Sequence, residues 1–319
     1  MFKKMIAVLA ALVPIAVFAQ GAYPERPVRL LVPYPPGGTA DLLGRLAAQK
    51  LNDAWGKSVV VENRGGAGGN IAAEAVAKSD PDGYTLLLCN APVLAINPPL
   101  YGNVNFDPVR DFAPIATIAE VPLFLVVHPS LPVKSFAEFM DYVKNAQGSI
   151  NYASGSIGST THLSMELFKT MSKLQLTHIP YKGSGPAIAA VLGGEVQIMF
   201  ELMPTAMPHV KSGRFRALAV TSRSRSPVTP AVPTVAESLP GYDVASWFAL
   251  CAPAATPRPV IDKISADMNA ALRSPATQER ILGLGAQPLV MTPEEFGGFL
   301  RAEITKWAKV VKDSGATVQ

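Results

Sequence analysis

Short all-apolar runs alternate along this chain with longer stretches in which apolar side chains recur every three or four residues. Runs of the first kind read as strands buried on both faces, and the second kind as helices with one apolar face. Val28–Val32 is a strand that ends at Pro35-Pro36-Gly37-Gly38. Leu42, Leu43, Leu46, Ala47, Leu51 and Trp55 then keep helical spacing, with Thr39 or Asp41 as the N-cap. Residues 58–61 and 85–89 are further strands, separated by the glycine run 65–69, a short helix capped by Asn70 and the turn Pro81-Asp82-Gly83. The middle repeats the theme: strand 123–127, a helix from Ser135 to about Asn145, strand 150–153 and helix 160–171. Strand 177–179, a loop at 181–186 and a helix with Pro186 near its start and Gly193-Gly194 as its stop come next, followed by strands 196–200 and 217–221. A proline-rich crossing at 227–241 leads to strand 247–251 and to helices from Pro257 and over 293–312. This alternation predicts the α/β class with a mostly parallel sheet.

Two loops in that pattern share one design. Tyr34-Pro-Pro-Gly-Gly-Thr-Ala-Asp41 and Tyr152-Ala-Ser-Gly-Ser-Ile-Gly-Ser-Thr-Thr-His162 each follow a strand and lead into a helix. A strand, a glycine loop and a helix N-terminus form an anion site, because unpaired backbone N–H groups and the positive end of the helix dipole converge there. Two such loops about 120 residues apart in a chain of 319 predict two lobes gripping one anionic small molecule.

The beginning of the chain reads as a leader. Lys3 and Lys4 precede an unbroken apolar stretch over 5–18, and Val17-Phe18-Ala19 supplies small residues for cleavage, so residues 1–19 are expected to be a signal peptide. With no Cys after that site a lipid anchor is not expected, and the remainder is expected to be soluble and exported. Removing the two lysines lowers the formal charge from +4 to +2. Basic residues occur singly or in short groups such as Arg223-Ser-Arg225, without the interleaved aromatics of a nucleic-acid surface. No nucleic-acid partner is expected, and the protein is expected to be a monomer. Cys89 and Cys251 sit in apolar strand-like runs, and two cysteines make no framework. Buried free thiols are the favoured expectation, a single bridge the other.

Catalytic signatures are missing from the chain. It has no GxSxG, no Walker loop, no HExxH and no dinucleotide fingerprint, and its four histidines lack metal-ligand spacing, so no cofactor and no metal are expected. Ser154, Ser156, Ser159 and Thr160 read as hydrogen-bond donors to a carboxylate rather than nucleophiles, since His162 alone could serve as their base. A secreted serine hydrolase built on His162 is the enzymatic alternative; for His162 itself, on the first turn after the second glycine loop, a capping or structural role is favoured over ligand contact. Asp41, at a helix start, reads as a cap that stiffens its loop. Lys182 beside Tyr181 and Glu201 after strand 196–200 are each open between solvated surface and ligand contact.

Several motifs taken together resemble a known family. Val32-Pro-Tyr-Pro-Pro-Gly-Gly-Thr-Ala-Asp41, Val61-Glu-Asn-Arg-Gly-Gly-Ala-Gly-Gly-Asn70, Asp82-Gly-Tyr-Thr-Leu86, Ile96-Asn-Pro-Pro-Leu-Tyr101, Tyr181-Lys-Gly-Ser-Gly-Pro186 and Val232-Pro-Thr-Val-Ala-Glu237 are similar to those of the extracytoplasmic receptors of tripartite tricarboxylate transporters, the Bug family. The resemblance implies a periplasmic binding protein type II-like fold, two α/β lobes joined by two crossing strands with the ligand cleft between them. It implies a first lobe of residues 20–122 and 246–319, a second of 123–245, and crossings at 121–127 and 245–251. Family ligands are dicarboxylates and tricarboxylates, acidic amino acids or aromatic acids, delivered to a membrane permease. Carried over by position, Tyr34, Gly38, Thr39 and Asp41 face Ser154, Gly155, Ser156, Gly158, Ser159, Thr160 and Tyr181. Two departures bear on the ligand: Glu201 stands where relatives often carry Asp, and Asn90-Ala91-Pro92 lacks hydroxyls expected after the third strand. The first adds a methylene to any ligand contact at Glu201, and the second removes donors around Ala91; with no arginine at either glycine loop, a polyacid such as citrate is disfavoured against one well-held carboxylate. An accessory that presents ligand to a sensor kinase would use the same pocket.

Overall fold

The computed structural model describes residues 23–318 apart from Gln147 and Ser149, so the leader at 1–19 lies outside the described residues. The first third alternates β1 (Val28–Val32), α1 (Thr39–Trp55), β2 (Val59–Asn63), α2 (Asn70–Ala77), β3 (Thr85–Asn90) and α3 (Asn97–Tyr101). The long strand β4 (Phe112–Val127) leads to α4 (Phe136–Asn145), β5 (Asn151–Ser154), α5 (Thr160–Ser172), β6 (Thr177–Pro180) and α6 (Ser184–Leu192). Then come β7 (Ile198–Leu202), α7 (Met203–Lys211), β8 (Arg216–Val220), β9 (Ala245–Pro253), α8 (Arg258–Arg273), α9 (Pro275–Gly283), β10 (Gln287–Pro288) and α10 (Pro293–Ser314).

The sheet is parallel only on its flanks. β1 pairs in parallel with β2 and β3 at one side, and β5 pairs in parallel with β6 and β7 at the other. Between them β9 is antiparallel to both β3 and β4, and β4 is antiparallel to β7 and β8. The expectation of a mostly parallel sheet is thereby corrected, because the two long strands β4 and β9 run antiparallel to each other and to the neighbours on either side. β4 extends well beyond the expected 123–127: its residues 112–122 pair with β9 and its residues 123–127 with β7 and β8. One continuous strand therefore carries the chain from one half of the sheet to the other.

Period-2 alternation distributes the apolar runs over both faces. Val28, Leu30 and Val32 pack with Leu86, Leu88, Leu43, Leu46 and Ile264 on one face, whereas Leu31, Leu87 and Cys89 point to the other. That second face is continuous with Leu123, Leu125, Tyr152, Phe168 and Phe200, and α10 adds Phe296, Leu300, Trp307 and Val311 to it. A third cluster, with Phe124, Val126, Ala187, Val191 and Met203, lies beneath α6 and α7. Helix ends follow local chemistry. Thr292 and Glu295 form a capping box with Pro293 at N1 of α10, and Gly315 closes that helix at φ 66.

Cys89 and Cys251 form a disulfide, which corrects the favoured expectation of free thiols. Register explains it: Leu87 pairs with Cys251 and Cys89 with Ala249, so the two cysteines are diagonal neighbours on one face of antiparallel strands, Cα atoms 6.1 Å apart. Two smaller corrections concern helix starts. The N-cap of α1 is Gly38, with no side-chain cap, in place of Thr39 or Asp41. α6 starts at Ser184 behind Gly183 (φ 116), which puts Pro186 two residues into the first turn.

Candidate ligand-binding site

A cleft of about 750 Å³, counted with its open mouth, lies where the two glycine loops meet. Its first wall is the β1–α1 connection from Tyr34 to Ala40, with Asn90 and Pro92 beside it. This loop is braced from behind. The Asp41 carboxylate accepts the Gly37 N–H (3.1 Å), the Asn63 amide (3.0 Å) and the Arg45 guanidinium (3.0 Å), and the Asn63 amide also reaches the Tyr34 carbonyl (3.0 Å). Burial on its own would raise the Asp41 carboxyl, but Arg45, Gly37 and Asn63 together hold it below the ordinary carboxylate range. Asp41 is thus a brace for the loop and is not among the cleft-lining residues. Burial keeps the Tyr34 phenol protonated well beyond its usual range, with the Gly68 carbonyl at 3.4 Å as its acceptor.

The second wall is the β5–α5 connection. Ser159 caps α5 by accepting the His162 N–H (3.2 Å) and donates its own proton to the Ser156 carbonyl (2.7 Å), and Thr161 accepts the Gly155 N–H (3.1 Å). Against it lies the β6–α6 loop, held by Tyr181 N–H to the Ser154 carbonyl (2.9 Å) and Gly183 N–H to the Gly155 carbonyl (2.7 Å). A side chain at Gly155 would stand 3.2 Å from the Ser184 nitrogen, so a bare backbone is needed for these loops to nest.

Three helix N-termini therefore line one cleft: Gly38 to Ala40 of α1, Ser159 to Thr161 of α5 and Ser184 to Pro186 of α6. Each first turn carries N–H groups without intrahelical acceptors. The lining residues include no carboxylate and a single cation, Lys182. The floor is apolar, with Leu202 and Phe248, and Ser246 accepts from the Thr160 hydroxyl (3.3 Å).

Of the residues singled out from sequence, Tyr34, Gly38, Thr39, Gly155, Ser156, Ser159 and Thr160 line this cleft. Asp41, Ala91, Ser154, Gly158, Tyr181 and Glu201 do not. Ala91 is fully buried between two lining neighbours, Asn90 and Pro92. Ser154 is fully buried, with its hydroxyl on the Ser156 carbonyl (3.1 Å) and the His178 ring (2.6 Å). Gly158, at φ +77, packs against Leu100. Glu201 falls inside β7 rather than after a strand. Its Oε1 accepts from Thr205 (2.6 Å), its Oε2 has no partner among the described residues, and burial pushes its pKa up to about 7. The Thr205 hydroxyl in turn lies 3.4 Å from that of Thr39. His162, the base a hydrolase would require, uses Nδ1 to accept the Gly158 N–H (3.1 Å).

Sequence reading missed Ser184, Ser246, Phe248 and Leu202. The first belongs to a glycine loop that was singled out, and strand alternation along the expected crossing at 245–251 places 246 and 248 on one face. Leu202 left no signal, because it lines the cleft only through the turn from β7 into α7.

The model of the Tripartite tricarboxylate transporter family receptor matches residues 43–316. Protein BugT of Bordetella pertussis is 41% identical over 299 residues, covering 93% of this chain and 92% of its own. Among solved structures, R. palustris Rpa4515 with adipate has a TM-score of 0.90 at 39% identity, covering 92% of this chain and 99% of that one. MatC (Rpa3494) from Rhodopseudomonas palustris with bound malate has a TM-score of 0.83 at 33% identity, covering 91% and 100%. A family match over residues 43–316, with BugT similar over 93% of the chain and two solute-bound relatives of the same fold, places this chain in the tripartite tricarboxylate transporter family of periplasmic solute receptors.

Proposed function

We propose that this receptor captures a small organic carboxylate in the cleft by lobe closure and delivers it to a membrane permease from the periplasm, after cleavage of its leader near Ala19. The observation that carries this reading is the convergence of the N-termini of α1, α5 and α6 on one cleft that no carboxylate lines. Backbone N–H groups and the Ser156 hydroxyl, whose proton no other group among the described residues takes, hold the carboxylate, Tyr34, Thr39, Ser159 and Thr160 shape the wall around it, and Lys182 offers the one counter-charge for a second anionic group. The cleft suits a monocarboxylate or dicarboxylate better than citrate, which would bring a third charge to a single lysine. Adipate and malate, the ligands of two relatives, fit that class, as do acidic amino acids and aromatic acids.

Residues 20–122 with 246–319 form one lobe and 123–245 the other, with β4 and β9 as the hinge strands. Thr39 with Thr205, and Leu100 with Gly158, are contacts between the lobes that opening would break. Ligand bridging the loops stabilises this closed arrangement, which the permease reads.

A thermal-shift screen of the chain from Gln20, stripped of carried-over ligand, tests the reading with dicarboxylates, citrate, acidic amino acids and aromatic acids. A ligand at a hundred times its Kd stabilises by about 2.7 kcal/mol, a shift of a few degrees. A hit confined to one carboxylate class supports it. A folded protein that responds to no carboxylate overturns it.

A further inference from the structure

Behind the second glycine loop, outside the cleft, the rings of Tyr152, His178 and His162 stack in a row, with centroids 4.9 Å and 4.0 Å apart. Both histidines are tied to the loop. His162 Nδ1 accepts the Gly158 N–H at 3.1 Å, so its ring proton is on Nε2, facing Glu166 at 3.8 Å. The Ser154 hydroxyl lies between the Ser156 carbonyl at 3.1 Å and His178 Nε2 at 2.6 Å and hydrogen-bonds that ring in either tautomer. One imidazole thus holds Ser154, at the end of β5 where the loop begins, and the other the loop's last glycine.

We propose that the uncharged imidazoles of His162 and His178 are positioning residues for the anion-binding loop, and that acid releases the loop by converting His162 Nδ1 from acceptor to donor. The inference rests on the reading of the cleft given above. A proton on Nδ1 sets two donors against each other across 3.1 Å, and the Gly158 N–H loses its acceptor. A charge on His178 as well would bring two cations within one ring stack. The titratable groups acting on the pair are Lys169 and Glu166 on α5 and the two rings themselves. Tyr152 on β5 hydrogen-bonds Glu166, and no group of β7 or α10, which pack on α5, adds to them. Glu166 is already paired with Lys169 at 2.8 Å, so it is a poor counter-ion for either imidazolium. Burial, first of all, together with Lys169 keeps His162 neutral down to about 4. Burial, then its neighbour His162, keep His178 neutral to about 3, and Lys169 adds to this while Glu166 opposes it.

The test is an amide NMR titration of the ligand-free chain from Gln20, from pH 7 to pH 3.5, alongside His162→Asn. The asparagine amide oxygen stands where Nδ1 accepts and does not titrate. In the wild type the Ser156 and Gly158 amide signals are expected to move together with His162 protonation, before far-UV circular dichroism changes. In His162→Asn the same signals are expected to stay in place over that range. Two results would overturn the proposal: loop amides that ignore His162 protonation in the wild type, or an asparagine variant whose loop titrates like the wild type. If the variant does not fold, the wild-type titration decides alone. A failure of every carboxylate to bind would count against the cleft reading and leave this result standing.

Discussion

A Cβ built on Gly158 would stand 2.1 Å from Leu100 Cδ2, so the second glycine loop and α3 touch at a point where only a hydrogen fits. Gly158→Ala adds left-handed backbone strain of about 1 kcal/mol to an overlap that Leu100, itself buried, must relieve by moving. Because the contact joins the two proposed lobes, the substitution is expected to weaken carboxylate binding by tenfold or more, about 1.4 kcal/mol. Titration calorimetry on the variant checks this. Unchanged affinity would show that the contact plays no part in closure.

Ser156 and Ser154, two residues apart, are expected to behave differently. Ser156 lines the cleft and its hydroxyl makes no hydrogen bond among the described residues, so Ser156→Ala should leave the melting temperature in place and cost binding about 1 kcal/mol, roughly fivefold. Ser154→Ala leaves His178 Nε2 without its hydrogen-bond partner behind the loop and should lower stability by about 1–3 kcal/mol. Melting curves and affinities of the two variants, measured side by side, separate ligand contact from loop support.

Glu201 makes stability fall as pH rises. Its carboxyl has a folded pKa of about 7 against an ordinary 4.5, because it is buried. A raised carboxyl pKa contributes stability that is fully present below 4.5 and is lost as pH climbs through 7, on the order of 3 kcal/mol over the window. Glu201→Gln keeps an acceptor for Thr205 and removes the titration. Denaturant melts of both proteins at pH 5 and pH 8 should show a slope in the wild type that the variant lacks. Parallel pH profiles would refute the assignment.

Reducing the Cys89–Cys251 bridge frees a loop of 162 residues. Chain entropy puts its contribution at about 5 kcal/mol, an upper figure because β3 and β9 still pair without it. The melting temperature is expected to drop by up to roughly 10 °C in reductant or in the double alanine variant. Carboxylate affinity should stay the same, since neither cysteine lines the cleft. A loss of affinity larger than the loss of stability would show that the bridge positions the Asn90 end of β3.

Most strand and helix segments and both glycine loops were legible in the chain because their causes are local, while α3, α7, α9, β10 and residues 112–122 of β4 were not. An apolar run buried on both faces needs no knowledge of its partner strand, and the Gly38 and Ser159 loops announce themselves by glycine and hydroxyl residues at a helix start. The contacts of sequence-distant residues were not legible. The antiparallel centre formed by β4 and β9 depends on register between segments more than a hundred residues apart, and the same register made neighbours of Cys89 and Cys251. Asp41 and Ser154 looked like ligand contacts by position, yet their side chains turn behind the loops to Asn63 and His178. The sequence by itself determined where the anion-binding loops lie, since backbone conformation and capping are properties of neighbouring residues. Tertiary structure alone decided which side chains face the cleft, that α6 brings a third helix end to it, and that Glu201 is dry enough to hold its proton near neutrality, because burial and pairing are set by residues far away along the chain.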